Sequence, residues 1–190
     1  MTEVVRYSFP MTKPVIKFQT AEYGAGDAIG KREDAIEHAK KELKTLDPAS
    51  ARAKIYALQA SMGAIPEVEC GLTHVFAPGV YMRTIHIKAG TAIVGKIHKH
   101  KHGNILSKGR VTVLTESGGM EHLEGPITMV SEPGTKRALI AHTDLVWTTI
   151  HQTNTTNLKE LEKELIAETY ADYEQFLLEG EAMKNIEVTK

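Results

Sequence analysis

Between residues 67 and 152 the chain is cut into short runs rich in valine, isoleucine and threonine. Glycine and proline make the cuts, at Pro78-Gly79, Gly90, Gly109, Gly118-Gly119, Gly125-Pro126 and Pro133-Gly134. Runs this short, with turn residues between them, leave no room for a helical stripe and form the pattern of an all-β sandwich or barrel. Strand cores are expected near residues 72–76, 80–88, 92–102, 104–107, 110–115, 127–131, 136–141 and 145–151. About eight strands suit a closed or nearly closed barrel.

On both sides of this block the period is helical. Ala35, Ile36, Ala39, Leu43 and Leu46 recur on one face of residues 32–46, with Glu37, Lys40, Lys41 and Lys44 on the other. Asp47-Pro48 reads as an N-cap followed by proline at the first helical position. It opens a second helix with the stripe Ile55, Leu58 and Met62, ended by Gly63. The first 30 residues, with Pro10, Pro14, Gly24, Gly26 and Gly30, follow neither period and read as an extended arm. After Thr156 the stripe Leu158, Leu161, Leu165, Tyr173, Phe176 and Leu177, with Asn157 and Glu160 spaced as a capping box, predicts one long C-terminal helix. The expected organisation is an arm and helices over 1–65, a β-barrel over 66–152 and a helix over 156–185. A chain of 190 residues fits one core with these appendages. The C-terminal stripe must cover the barrel, the N-terminal helices or a second copy of the chain, and a homodimer is expected.

Charge excludes some partners. With 23 basic and 24 acidic side chains the molecule has no overall field to draw it to nucleic acid or an anionic membrane. No apolar run approaches the roughly 18 residues that cross a bilayer. The single Cys70 has no partner for an intramolecular disulfide and is read as a small hydrophobe. The first residues lack the pattern of a secretion leader, so a reducing cytoplasm is expected. No phosphate loop, Gly-x-Ser-x-Gly elbow or Cys-x-x-Cys pair occurs, and the chemistries these carry are unsupported.

The chemistry is concentrated in Val94-Gly-Lys-Ile-His-Lys-His-Lys-His-Gly-Asn104. In a regular strand alternate side chains share a face, so His98, His100, His102 and Asn104 would point inward and Lys99 and Lys101 outward. Neutral imidazoles converging inside a barrel suit a divalent Fe, Mn, Ni, Cu or Zn ion. The competing reading is a basic surface strand or a phosphate patch helped by Lys96, Lys108 and Arg110. Arg83, Arg137 and Lys136 offer charge to an anionic ligand at the barrel mouth, and Trp147 and Tyr81 could wall a pocket. His38, His74, His86 and His122 show no ligand pattern.

The run from Gly90 through the histidines to Gly109, then Pro133-Gly134-Thr-Lys-Arg137 and Val146-Trp-Thr-Thr-Ile-His151, resembles the cupin superfamily over residues 68–152. Within it the sequence is most similar to small cupin-like proteins of tailed bacteriophages, whose C-terminal helix it also resembles. The resemblance implies a mainly β fold, the double-stranded β-helix or jelly-roll barrel, with N-terminal helices and a long C-terminal helix added here. It also implies one divalent metal held by two His and a Glu from a first motif and a His from a second.

This chain departs from the pattern at two points. No Glu precedes Gly109, so that His102 falls near the Glu position and His98 near the second His. Arg137 stands where the second-motif His is expected. The metal ligands implied are His98, His100, His102 and His151, with His142 in reserve for the last. Asn104, Arg83, Arg137, His142 and Trp147 are left to bind a small-molecule substrate. Two functions follow: a metal-dependent enzyme acting on a small polar or anionic molecule, or a non-catalytic binding or assembly module of the phage type, working in the host cytoplasm. Nucleic-acid binding is the least supported, since no dense basic face with exposed aromatics accompanies the histidines.

Overall fold

The computed structural model describes residues 17–20, 28–47, 49–64, 68–116 and 119–188, with side chains from Asp34 to Glu181 apart from Ala35. The remaining residues, with most of the expected N-terminal arm and Pro48, lie outside the described part.

The β block forms two five-stranded sheets. The first runs β1 (Lys17–Thr20), β4 (Thr91–Val94), β10 (Arg137–Ala141), β7 (Arg110–Thr115), β8 (Gly119–Glu124). The second runs β2 (Gly71–Ala77), β3 (Val80–Ile87), β11 (Leu145–Gln152), β6 (His102–Lys108), β9 (Ile127–Ser131). The antiparallel partners are nested: β3 with β11, β4 with β10, β6 with β9, and β7 with β8. A long hairpin folded over so that its paired strands alternate between two sheets is an eight-stranded jelly roll, the fold that the sequence implied. Neither sheet closes on the other by strand pairing.

Alternation along the strands builds the core. Ile85, Leu106, Leu145 and Trp147 from the second sheet meet Ile93, Val111, Val113 and Leu139 from the first. Cys70 lies in this core, and burial pushes its thiol up to about 11, so it stays a protonated hydrophobe. On the outer side of the first sheet, Val94, Ala138 and Leu114 stand in register across three strands. Helix α2 (Ala51–Ser61) lays the expected stripe of Ile55, Leu58 and Met62 on them. Gly109, with φ +99, turns β6 into β7 where a Cβ would come within 2.4 Å of the Asp144 carbonyl, which only glycine permits.

Four local readings are corrected. The strand expected over 92–102 is broken: the chain leaves the sheet at Gly95, and β5 (Ile97–His98) pairs with β12 (Ile166–Ala167) instead. The first helix, α1 (Ala28–Glu42), begins and ends earlier than the stripe suggested. The cap of α2 is Ser50, whose Oγ accepts from the Ala53 N–H at 3.1 Å. Asp47 shapes the preceding turn by accepting from Ala49. The single C-terminal helix is two, α3 (Leu158–Leu165) and α4 (Tyr170–Val188), separated by β12. Thr169 and Asp172 cap α4 reciprocally, each side chain accepting from the other's N–H at 3.0 and 2.9 Å. Asn157 caps α3 as expected.

Most of the C-terminal stripe is used within the chain, while Leu177 at its end is exposed. Leu158, Leu161 and Leu165 pack on Tyr81 at one end of the barrel, and Tyr170 and Tyr173 pack with Ala39, Tyr56 and Ile97. No helix of the described residues is long and apolar enough to cross a membrane.

Candidate metal centre

The inner face of the second sheet is ordered in rows. Leu72, Ile85, Trp147, Leu106 and Ile127 pair across its five strands as an apolar floor. Two residues further along each strand the next inward row is His74, Arg83, Thr149, Asn104 and Met129. The third row carries Phe76, Tyr81, His151, His102 and Ser131, so the sheet register itself sets His151 beside His102.

His98 arrives from outside this sheet. Pairing of β5 with β12, and the Lys99 N–H bond to the Leu165 carbonyl at 2.8 Å, hold it over the end of the barrel. One ring nitrogen from each of His98, His102 and His151 lies within 4.8 Å of the others. Ring centroids are 4.2 Å apart for His98 and His102, 4.6 Å for His102 and His151, and 5.2 Å for His98 and His151.

All three rings are held neutral. Burial lowers the His98 pKa well below the ordinary value, and the neighbouring His102, His151, Arg137 and Arg83 lower it further. Burial pushes His102 down to about 4 against the opposing bond to the His100 carbonyl, and His151 down to about 3, helped by His102 and Arg83. His102 Nδ1 donates to the His100 carbonyl at 3.1 Å, which leaves its Nε2 lone pair for the cluster. His98 Nδ1 and His151 Nε2 are buried and have no hydrogen-bond partner among the described residues. Buried polar nitrogens are normally satisfied, so two orphans in one cluster with a third lone pair fit a metal ion.

The cluster borders a cavity of about 90 Å³ between the sheets. Arg83, Asn104, Trp147 and Thr149 line one side, and Ile93, Leu139 and Arg137 the other. Asn104 is completely engaged: its Oδ1 accepts from Trp147 Nε1–H at 3.0 Å and its Nδ2 donates to Ser131 Oγ at 2.7 Å. The Arg137 guanidinium donates to the same Ser131 hydroxyl and lies 5.9 Å over the Trp147 ring. Among the described residues no Asp or Glu lines the cavity, and Lys96 at its edge is paired with Glu162 and Glu168.

The structure therefore brings together His98, His102 and His151, with Arg83, Arg137, Asn104 and Trp147 in the adjoining cavity. It separates two others. His100, expected among the ligands, is exposed with its ring 5.3 Å from Phe176, because the bend at residues 99–101 reverses the parity of a regular strand. His142, expected near the substrate or as reserve ligand, is exposed and bonded to Thr112 Oγ1 at 2.6 Å, away from the cavity lining. The Asn104 amide oxygen accepts from the Trp147 ring N–H. Ser131, which orients both Asn104 and Arg137, was not singled out; its signal was its place as the last inward residue of its strand.

No protein-family model and no curated protein matches the chain. Similar solved structures include ectoine synthase from P. lautus, 15% identical over 50% of this chain and 72% of that one, with TM-score 0.42. An RmlC-like cupin family protein with a double-stranded β-helix fold from Methanocaldococcus jannaschii is 13% identical over 50% and 86%, with TM-score 0.40. A conserved double-stranded β-helix protein from Klebsiella pneumoniae is 15% identical over 45% and 79%, with TM-score 0.39. The nesting of the strands, and not these distant likenesses, carries the fold assignment.

Proposed function

We propose that the chain binds one divalent transition metal, Fe, Mn, Ni or Zn, on His98, His102 and His151 and presents it to a small anionic molecule in the adjoining cavity. The observation that carries this reading is the cluster of one ring nitrogen each from His98, His102 and His151 within 4.8 Å of one another, on rings two of which hold a buried nitrogen without a hydrogen-bond partner among the described residues, His98 Nδ1 and His151 Nε2. Three neutral nitrogen donors leave the ion its full positive charge and leave positions for another ligand, the arrangement of catalytic rather than closed structural sites.

A bound ion would polarise an oxygen of that ligand. The protein's own residues supply the rest. Arg83 from β3 and Arg137 from β10 both line the cavity, and guanidinium groups are the usual clamp for a carboxylate or another oxyanion. Ser131 and Asn104 fix the Arg137 side of this pair. Trp147 and the isoleucine-rich floor exclude water, which strengthens the attraction between guanidinium and anion.

Cobalt(II) loading tests the reading without assuming a reaction. Its absorption bands should appear at one equivalent, shift on addition of a small carboxylate such as acetate or oxalate, and respond much more weakly in Arg83→Gln and Arg137→Gln. Identical carboxylate responses in both variants would contradict the anion-binding part; failure to bind cobalt would contradict the metal site.

A second reading, a non-catalytic phage-type binding or assembly module, is favoured by the outer face of the second sheet, whose two central rows carry no charged residue. In that case the same metal would tie β5, β6 and β11 together.

A further inference from the structure

We propose that two copies of this chain associate through the outer face of the second sheet, packed sheet against sheet about a two-fold axis. The inward rows of that sheet fix by alternation which residues face out. One outward row is Val75, Met82, Ile150, Gly103 and Val130, in register across all five strands. The row beside it is Thr73, Thr84, Thr148, Ile105 and Thr128.

None of the ten residues of these two rows is Asp, Glu, Lys or Arg, in a chain that is 25% charged; Lys108, in register with the outward Val146, stands at the rim of the face. An antiparallel sheet with one face in solvent ordinarily alternates apolar residues inward with polar residues outward, and a contiguous exposed apolar patch marks an interaction surface. The first sheet shows the contrast: Val94, Ala138 and Leu114 of its outer row are covered by α2, and Met120 at its edge is exposed. On the second sheet Val75 is 45% and Val130 61% exposed.

The chemistry and size of the face favour a second copy as the occupant. A charged partner would find no counter-charge here, whereas an apolar and threonine surface is complementary to itself, as a two-fold interface requires. Its hydroxyls cost little to desolvate, since Thr84 and Thr148 bond one another at 2.8 Å and Ser107 Oγ donates to the Val146 carbonyl at 3.2 Å. Five strands about 4.8 Å apart and about seven residues long present roughly 550 Å². Doubled by symmetry, that passes the roughly 1,000 Å² expected of a specific interface. Twisted sheets pack in this way, face to face about 10 Å apart.

The test is the mass of the full-length protein in solution by analytical ultracentrifugation between 1 and 100 µM (about the range that spans ordinary homodimers). A dimer is expected for the natural chain. Val75→Lys with Val130→Lys sets like charges across the axis and should weaken association at least about 100-fold. Both positions are exposed, so metal content and melting temperature should be retained. Met120→Lys, on an exposed position of β8 in the other sheet, should remain dimeric. A monomer throughout the range, or a dimer unaffected by the double substitution, would overturn the proposal. So would a monomer that dimerises only after removal of residues 1–16, which would identify that segment as the occupant.

Discussion

His98 and His102 stack with ring centroids 4.2 Å apart, although a regular strand would set them about 13 Å apart along its axis. The chain achieves this by leaving the sheet at Gly95, pairing Ile97 and His98 with Ile166 and Ala167, and bending at residues 99–101 before re-entering at His102. The C-terminal segment is thus part of the site: β12 pairs with β5 from one side, while the Gly134 N–H donates to the His98 carbonyl at 2.8 Å. The elements β5, β6 and β11 each give one imidazole, and the three meet where the apolar core ends.

Acid should destabilise the metal-free protein through these rings. In the unfolded chain each takes a proton near pH 6.5, while in the fold His102 resists to about 4 and His151 to about 3. The folded state binds fewer protons, so stability is complete above about pH 6.5 and falls as pH drops toward those values. His102 alone accounts for on the order of 3 kcal/mol. Melting temperatures of the apoprotein between pH 7.5 and 4 should fall steeply, and less so in His102→Gln. Equal slopes for the two proteins would contradict the neutral, buried state of this ring.

Lys136 offers a second test of burial against charge. Its ammonium is buried, donates to the Gly95 carbonyl at 3.0 Å and lies 5.6 Å from the Tyr56 ring centroid. Burial pushes its pKa down to about 8, against the opposing pull of Glu168. The folded value lies below the unfolded one, so the cost of burying the charge is complete below pH 8 and disappears as pH rises toward 10.5. Lys136→Met should raise stability by on the order of 1–2 kcal/mol at pH 7. The gain, measured as the shift of the urea midpoint, should shrink at pH 10; a destabilised variant at pH 7 would show that the Gly95 bond outweighs the desolvation.

The Trp147–Asn104–Ser131–Arg137 chain should couple stability to ligand binding. Asn104→Leu leaves the buried Trp147 N–H without its acceptor and frees Ser131, which should cost about 2–3 kcal/mol. Asn104 gives no donor to the histidine cluster, so the variant should keep its metal and bind carboxylate more weakly. Calorimetric titrations of metal and of acetate into the same sample separate the two effects, and loss of both would make Asn104 part of the metal site.

Much of this was legible in the sequence because the turn residues are strong signals. The glycine and proline punctuation marked the strands, and Gly109 and Gly134 both take positive φ. The strands missed were β1, within the expected arm, β12, within the expected C-terminal helix, and β8, Gly-Met-Glu-His-Leu-Glu, whose composition is that of an exposed edge and not of a buried strand. Parity found His151 from Trp147 because β11 is regular, and failed at His100 because tertiary pairing with β12 breaks the strand there. The division of the C-terminal helix was written in Thr169-x-x-Asp172, but a continuous apolar stripe across it concealed the break. Rows of residues across a sheet depend on register, which no single strand reveals, and so Ser131 became visible only in the fold.

The most direct measurement is the metal content per chain, by inductively coupled plasma mass spectrometry, of protein purified without a His tag or chelating resin. Near one equivalent is expected in the natural chain and in His100→Ala, and little in His98→Ala, His102→Ala or His151→Ala, each with its melting curve recorded to show that the barrel persists. Full occupancy in the three cluster variants, or no metal in the natural chain after incubation with Fe, Mn, Ni and Zn, would contradict the account.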